Sequence, residues 1–285
     1  MTILEIKKEF FGKIDPLDLD LIISRAIKKP REFVLVHPEY KIPKFKIENL
    51  KLKISRRKRG EPLAYILGHK EFFSLDFKVT KNTLIPRPET EIIVEEVLKL
   101  NPKNKVVIDV GTGSGNIIIS LAKKIQEKNI FFGIDISEKA LRIAKQNAKR
   151  NDLDEKIKFF NGDLLLPLIK NRKLEIKNSK FIILANLPYL SKKIYGVAPK
   201  DVKNYEPKSA LYSPREGLAH YEKLLKQIGL LQTIINQESK IIILEISPEQ
   251  KSKLRPIIKN YLPKAKIEFQ KDLAGKWRVC KIFIN

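Results

Sequence analysis

Val106-Val107-Ile108-Asp109-Val110-Gly111-Thr112-Gly113-Ser114-Gly115 is the stretch whose reading decides the fold. Its first half is an apolar, β-branched run, which is the pattern of a buried strand. Three alternating glycines follow, and they let the backbone turn tightly and approach a ligand closely. A helical pattern over 116–128 comes next. A dinucleotide fingerprint needs glycine at the first, third and sixth loop positions, and the sixth here is Asn116. The acid just before the loop, Asp109, would also repel a pyrophosphate. A ligand with positive charge suits it better, such as the amino group and sulfonium of S-adenosylmethionine.

Working outward, strands are expected at 130–136, 157–160, 181–185 and 241–246, with helices at 138–151, 218–236 and 248–261 and short strands at 265–269 and 278–284. Alternation of this kind predicts an α/β, doubly wound, mostly parallel sheet that binds ligands at its strand carboxyl ends. Acids close successive strands. Asp135 is placed to accept from both ribose hydroxyls of a nucleoside, Asp163 to contact adenine, and Leu164 to cover the ring. Together with Gly111, Thr112, Gly113, Ser114 and Gly115 they form the expected cofactor set. A Rossmann-like dehydrogenase, or a fold that has kept its loop without its chemistry, is the competing reading. A polar surface loop is expected at 170–180.

The fourth strand ends in Asn186-Leu187-Pro188-Tyr189. Leu187 precedes a proline and is therefore pushed into extended conformation. The Asn186 side-chain oxygen and the Leu187 carbonyl can each accept one N–H bond from a planar –NH2 group, with Tyr189 as a wall. Such a nitrogen is a poor nucleophile because its lone pair is delocalised. Two acceptors turn that lone pair toward a methyl donor and stabilise the positive charge that grows on nitrogen, and confinement supplies alignment.

Upstream, Asp15-Pro16 reads as a helix start, with Leu17, Leu21 and Ala26 on its apolar face. A second helix is expected at 31–36 and a third at 47–59, with Leu50, Leu52 and Ile54 inward. A strand or hairpin over 71–79, a proline-rich segment at 84–88 and a helix at 89–100 form the joint. The expected organisation is a small helical domain over 1–70, a hairpin and linker over 71–92, and a methyltransferase domain over 93–285.

The chain has 285 residues and a formal net charge of +24, which invites a nucleic-acid reading. The lysines are scattered, however, and only 51–59 forms a basic cluster, read either as a contact surface or as a solvated helix face. One cysteine, Cys280, excludes an internal disulfide, and the three histidines have no metal-site spacing. No apolar run is long enough to span a bilayer, and 1–11 has no signal-peptide core, so the cytoplasm is expected.

Several stretches carry a resemblance: 60–68 (Gly60-Glu61-Pro62-Leu63-Ala64-Tyr65-Ile66-Leu67-Gly68), 84–91 (Leu84-Ile85-Pro86-Arg87-Pro88-Glu89-Thr90-Glu91), Glu206-Pro207 with Ala210-Leu211, Glu216-Gly217-Leu218, and 272–279 from Asp272 to Val279. With the glycine loop and Asn186, these resemble the HemK-type (PrmC-like) N5-glutamine methyltransferases, which methylate the glutamine of the Gly-Gly-Gln motif in peptide chain release factors. The resemblance runs along nearly the whole chain. It implies a Rossmann-like class I S-adenosylmethionine-dependent methyltransferase fold behind a small helical N-terminal domain, with S-adenosylhomocysteine as product. It also implies that the N-terminal helices help hold the release factor and that the Gly-Gly-Gln loop enters at Asn186; a monomer is expected.

Three departures stand out. The family usually has Asn-Pro-Pro-Tyr where this chain has Leu187, although the group needed there is a backbone carbonyl. Leu164 stands where relatives often carry an aromatic, and Tyr212-Ser213-Pro214-Arg215 is poorer in glycine than expected. Asn-Leu-Pro-Tyr is also the form in ribosomal RNA adenine dimethyltransferases. The alternatives are therefore an adenine N6-methyltransferase acting on RNA or DNA, and a non-catalytic binding protein.

Overall fold

The computed structural model describes residues 1–171, 180–234 and 240–284. Most of the loop expected at 170–180, and the end of the helix expected at 218–236, lie outside the described residues. The chain forms two units, Met1–His69 with Pro199–Tyr205, and Lys70–Ala198 with Glu206–Asn285.

The first unit is helical. Its helices are Ile3–Phe10, Pro16–Ile27, Arg31–Val36, Lys44–Lys58, Leu63–Leu67 and Lys200–Tyr205. The Asp15 carboxylate caps the second helix by accepting from the Leu17 and Asp18 amides, with Pro16 in the first turn. Ile3, Ile6, Ile22, Ile23, Leu50 and Ile54 make the core. Two expected core positions fail: Leu17 and Leu52 are exposed. Leu50 and Ile54 are one helical turn apart and share a face, whereas Leu52, two residues from each, points away from it. Three of the six basic residues of 51–59 form ion pairs within their own unit. Lys51 pairs with Glu9 at 2.8 Å, Arg56 with Glu61 at 2.5 Å, and Arg57 with Asp18 at 2.5 Å.

A hairpin of β1 (His69–Phe72) and β2 (Leu75–Lys78), in the second unit from Lys70 onward, turns at Phe73 and Ser74, both with positive φ. A short turn at Pro88–Thr90 leads into the helix Glu91–Lys99, which starts two residues later than expected. Among the described residues the sheet has seven strands: β3 (Lys105–Val110), β4 (Ile130–Asp135), β5 (Ile157–Asn161), β6 (Lys180–Ala185), β7 (Lys240–Glu245), β8 (Lys266–Lys271) and β9 (Trp277–Ile284). Their order is β5-β4-β3-β6-β7-β9-β8, and β9 alone runs antiparallel to both of its neighbours. Helices Asn116–Lys124, Glu138–Arg150, Ala219–Ile234 and Gln250–Tyr261 are as expected in kind and place, while the short helices Leu166–Lys170 and Lys192–Val197 were not expected.

Alternate residues of the strands feed two cores. Val106, Ile108, Phe181 and Ile183 pack into the one that holds Tyr221 and Leu225. Val107, Ile182 and Ile243 pack into the other, with Ile93, Val97 and Ile118. Burial on both faces explains why these strands read as continuous apolar runs. The strand order reverses at β3, so the crevice falls between the carboxyl ends of β3 and β6.

Candidate functional site

Parallel register pairs Val110 with Ala185, so the glycine loop and Asn186 leave the sheet side by side. The approach is close enough to demand glycine. Gly111 has φ +75, and a Cβ there would lie 2.9 Å from Leu187 Cδ2. The loop is fastened to β4, where Ile134 carbonyl accepts from the Gly111 and Thr112 amides at 2.8 and 2.9 Å. Asp135 accepts from the Gly113 amide through Oδ2 and from the Ser137 amide through Oδ1, both at 2.8 Å.

A cavity of about 540 Å³ opens over this junction, and all of its lining residues belong to the second unit. Gly111, Thr112, Gly113, Ser114, Asp135, Asp163, Leu164, Asn186, Leu187 and Pro188 line it, so most of the expected site is brought together. Three expected residues do not line it. Asp109 is fully buried beneath the loop, where it accepts from the Thr112 hydroxyl at 2.6 Å. Gly115 caps the helix Asn116–Lys124 and faces Ile119 and Ala144, which a Cβ would meet at 2.7 and 3.3 Å. Tyr189 turns away from the expected wall position, because its hydroxyl donates to Glu245 Oε1 at 3.3 Å. The Leu187 carbonyl faces the Tyr221 hydroxyl at 3.4 Å, which leaves it a second lone pair. Leu164 holds φ +53, a conformation that disfavours side chains with a Cβ.

The floor of the cavity is acidic. Burial pushes the Asp109 carboxyl up to about 7, against the Thr112 hydroxyl and the Ile118 amide, with the Asp135 charge adding to the rise. Burial also raises Asp135, opposed by the amides of Ser137 and Gly113. Asp109 Oδ1 is buried with no hydrogen-bond partner among the described residues. An orphaned carboxylate oxygen under a glycine loop fits a positively charged ligand and repels a pyrophosphate. These residues therefore suit S-adenosylmethionine.

A "Methyltransferase domain" family model matches residues 101–266, and the "PrmC N-terminal domain" model matches 12–68. The release factor glutamine methyltransferase of Clostridium botulinum is 34% identical over 97% of this chain and 94% of its own. That of Enterococcus faecalis is 36% identical over 86% and 84%. The chain belongs to the release factor glutamine methyltransferases. Among solved structures, the hMettl16 catalytic domain in complex with MAT2A 3'UTR hairpin 1 is similar in fold, with TM-score 0.58, 14% identity, and 95% of this chain and 92% of that one covered.

In this release factor methyltransferase, two of the segments that carried the resemblance, 84–91 and 206–211, supply residues that line the cavity. Leu84, Pro86 and Thr90 line one wall and Pro207 and Ala210 another. Glu206 joins them, accepting from the Ile85 amide at 3.2 Å and pairing with Arg87. Gly217 supports the tetrapeptide from below, since a Cβ there would lie 2.0 Å from the Tyr189 carbonyl oxygen. The glycine-poor stretch has a structural counterpart: Arg215 and Glu216 hold φ +51 and +56, where glycine would be relaxed. Residue-by-residue reading missed His220 and Lys223, which reach the cavity from the helix Ala219–Ile234, with Lys223 paired to Asp163. It also missed Glu245, buried at the end of β7. Only the helical spacing of 220 and 223 could have flagged the first two, and nothing in the sequence flags the third.

Proposed function

We propose that this protein transfers a methyl group from S-adenosylmethionine to the side-chain amide nitrogen of the glutamine in the Gly-Gly-Gln motif of peptide chain release factors, in the cytoplasm, and so tunes translation termination. The observation that carries this is the junction of the acidic glycine loop with Asn186 at the ends of two adjacent strands. The names of the relatives, and the extent of each chain they match, support the acceptor. Among the described residues, no helix is long and apolar enough to cross a membrane.

When bound, S-adenosylmethionine supplies a methyl group on a positively charged sulfur. Gly111, Thr112, Gly113 and Ser114 would hold it, with Asp135, Asp163 and Leu164 around its nucleoside and Asp109 acting through the loop. Asn186 Oδ1 and the Leu187 carbonyl would each accept one N–H of the glutamine amide. That turns the nitrogen lone pair out of conjugation and stabilises the charge developing on it. The methylated nitrogen is acidic, so no strong base is needed to remove its proton. Pro188 limits the freedom of the Leu187 carbonyl. We assign recognition of the release factor to the helices of 1–70, 71–92 to a hairpin and linker, and catalysis to 93–285.

Incubating the purified protein and tritiated S-adenosylmethionine with release factor, and separately with RNA, tests the reading. Label is expected in the release factor, and label confined to RNA would overturn it.

A further inference from the structure

Asp163 and Leu164, the two residues set against the donor's adenine, stand in a turn that their own side chains do not favour. Leu164 holds φ +53, in the left-handed region. The turn follows β5, and Leu165 beyond it is fully buried. A buried backbone amide must be paired, so this turn needs a partner from elsewhere in the chain.

That partner is Gln227, on the helix Ala219–Ile234. It is buried and is not among the residues that line the cavity. Gln227 Oε1 accepts from the Leu165 amide at 2.7 Å, and Nε2 donates toward the Asp163 carbonyl at 3.5 Å. A backbone N–H can donate only to the oxygen of the side chain, so the first bond also sets its flip. One turn earlier, Lys223 donates to Oδ2 of the Asp163 carboxylate and leaves Oδ1 for a ligand. The two supports differ in weight. The ion pair is partly exposed, 53% at Lys223 and 31% at Asp163, and such pairs contribute little. The Gln227 bond is buried, and its loss would leave the Leu165 amide without a partner.

We propose that Gln227 is a positioning residue for the methyl donor: it holds the turn Asp163–Leu165 from beneath, so that the Asp163 carboxylate meets the 6-amino group of adenine and Leu164 covers the ring. This rests on the donor reading given above. Gln227 acts through the turn alone, so its influence belongs to the adenine end of the donor. Asn186 and Leu187 leave a different strand, β6, and transfer from a donor already bound is spared.

The test uses the full-length protein and calorimetric titration with S-adenosylhomocysteine and with its 6-oxo analogue, S-inosylhomocysteine. The analogue offers the Asp163 carboxylate an oxygen in place of an N–H, so the wild type should bind the adenine compound about tenfold or more tightly. Gln227→Met keeps the bulk and removes both bonds. It should weaken S-adenosylhomocysteine about five- to tenfold, the equivalent of one ordinary hydrogen bond. The 6-oxo compound gains nothing from Asp163 and should lose less, so the preference should shrink about threefold or more. The kcat at saturating donor, with release factor as acceptor, should stay within about twofold. Gln227→Asn draws the amide back by one methylene and should show the same pattern; it takes the place of Gln227→Met if that variant does not fold. Unchanged affinity overturns the inference. So does an equal loss for both compounds, which is what a loosened fold alone would give, or a fall in kcat with affinity retained. A wild-type protein that binds both compounds equally would overturn the assignment of Asp163 to adenine, and one that binds neither would overturn the donor reading itself, each taking this inference with it.

Discussion

Replacing Asp109 by Asn should stabilise the ligand-free protein while weakening its hold on the methyl donor. Asp109 is fully buried, its Oδ1 has no hydrogen-bond partner among the described residues, and its carboxyl rises from 3.8 to about 7. The unfolded chain gives up this proton near 3.8, and the folded chain near 7. The stability that the neutral carboxyl preserves is therefore complete below 3.8 and lost progressively as pH rises to about 7. A shift of about three units corresponds to about 4 kcal/mol above neutrality. Asparagine avoids that loss but leaves an amide N–H where Oδ1 stood, which costs about 1–3 kcal/mol if unpaired. The net expectation is a gain of about 1–3 kcal/mol at pH 8, or roughly 2–12 °C in melting temperature. At pH 5 the gain should vanish or reverse. Removing a charge that attracts a cation should also weaken donor binding, by roughly three- to tenfold. Thermal melts from pH 5 to 9, with calorimetric titration of S-adenosylmethionine, read both effects. An Asp109→Asn protein that melts at or below wild type at pH 8, or binds donor with unchanged affinity, would refute the reasoning.

Gly217→Ala puts a Cβ 2.0 Å from a backbone oxygen at φ +87. Left-handed strain of about 1–2 kcal/mol and overpacking of about 1–3 kcal/mol add to roughly 2–5 kcal/mol, so the melting temperature should fall by roughly 4–20 °C; an unchanged melt would contradict this. Asp135→Ala removes the carboxylate that holds the Gly113 and Ser137 amides and should weaken donor binding by about 1–3 kcal/mol, seen by calorimetry. Asn186→Ala should abolish methyl transfer with donor affinity largely intact, because the contacts it loses belong to the transition state, and retained turnover would remove Asn186 from the mechanism.

The fold was legible because its strands are buried on both faces and its glycine loop can follow only a strand. The run 181–185 and the loop from Gly111 to Gly115 identified β6, β3 and the crevice between them without any long-range information. What stayed hidden depends on partners far along the chain. Tyr189 reads as an open aromatic beside Pro188, yet a glutamate 56 residues later draws its hydroxyl inward. Asp109 reads as a ligand contact, but the alternation of side chains along β3 sends it beneath the loop, where it acts through Thr112. The basic run at 51–59 looks like a free surface until Glu9, Asp18 and Glu61 are brought to it. Leu164, Arg215 and Glu216 occupy left-handed conformations that their side chains disfavour, so no local preference announces them.

The central claim is that the methyl group goes to a glutamine side-chain amide of a release factor. Its most direct test is mass spectrometry of peptides from release factor incubated with the protein and S-adenosylmethionine. One added methyl on the glutamine of Gly-Gly-Gln, absent when Asn186→Ala replaces the wild type, is the predicted result. A methyl group found on any other residue, with that glutamine unmodified, would contradict the account.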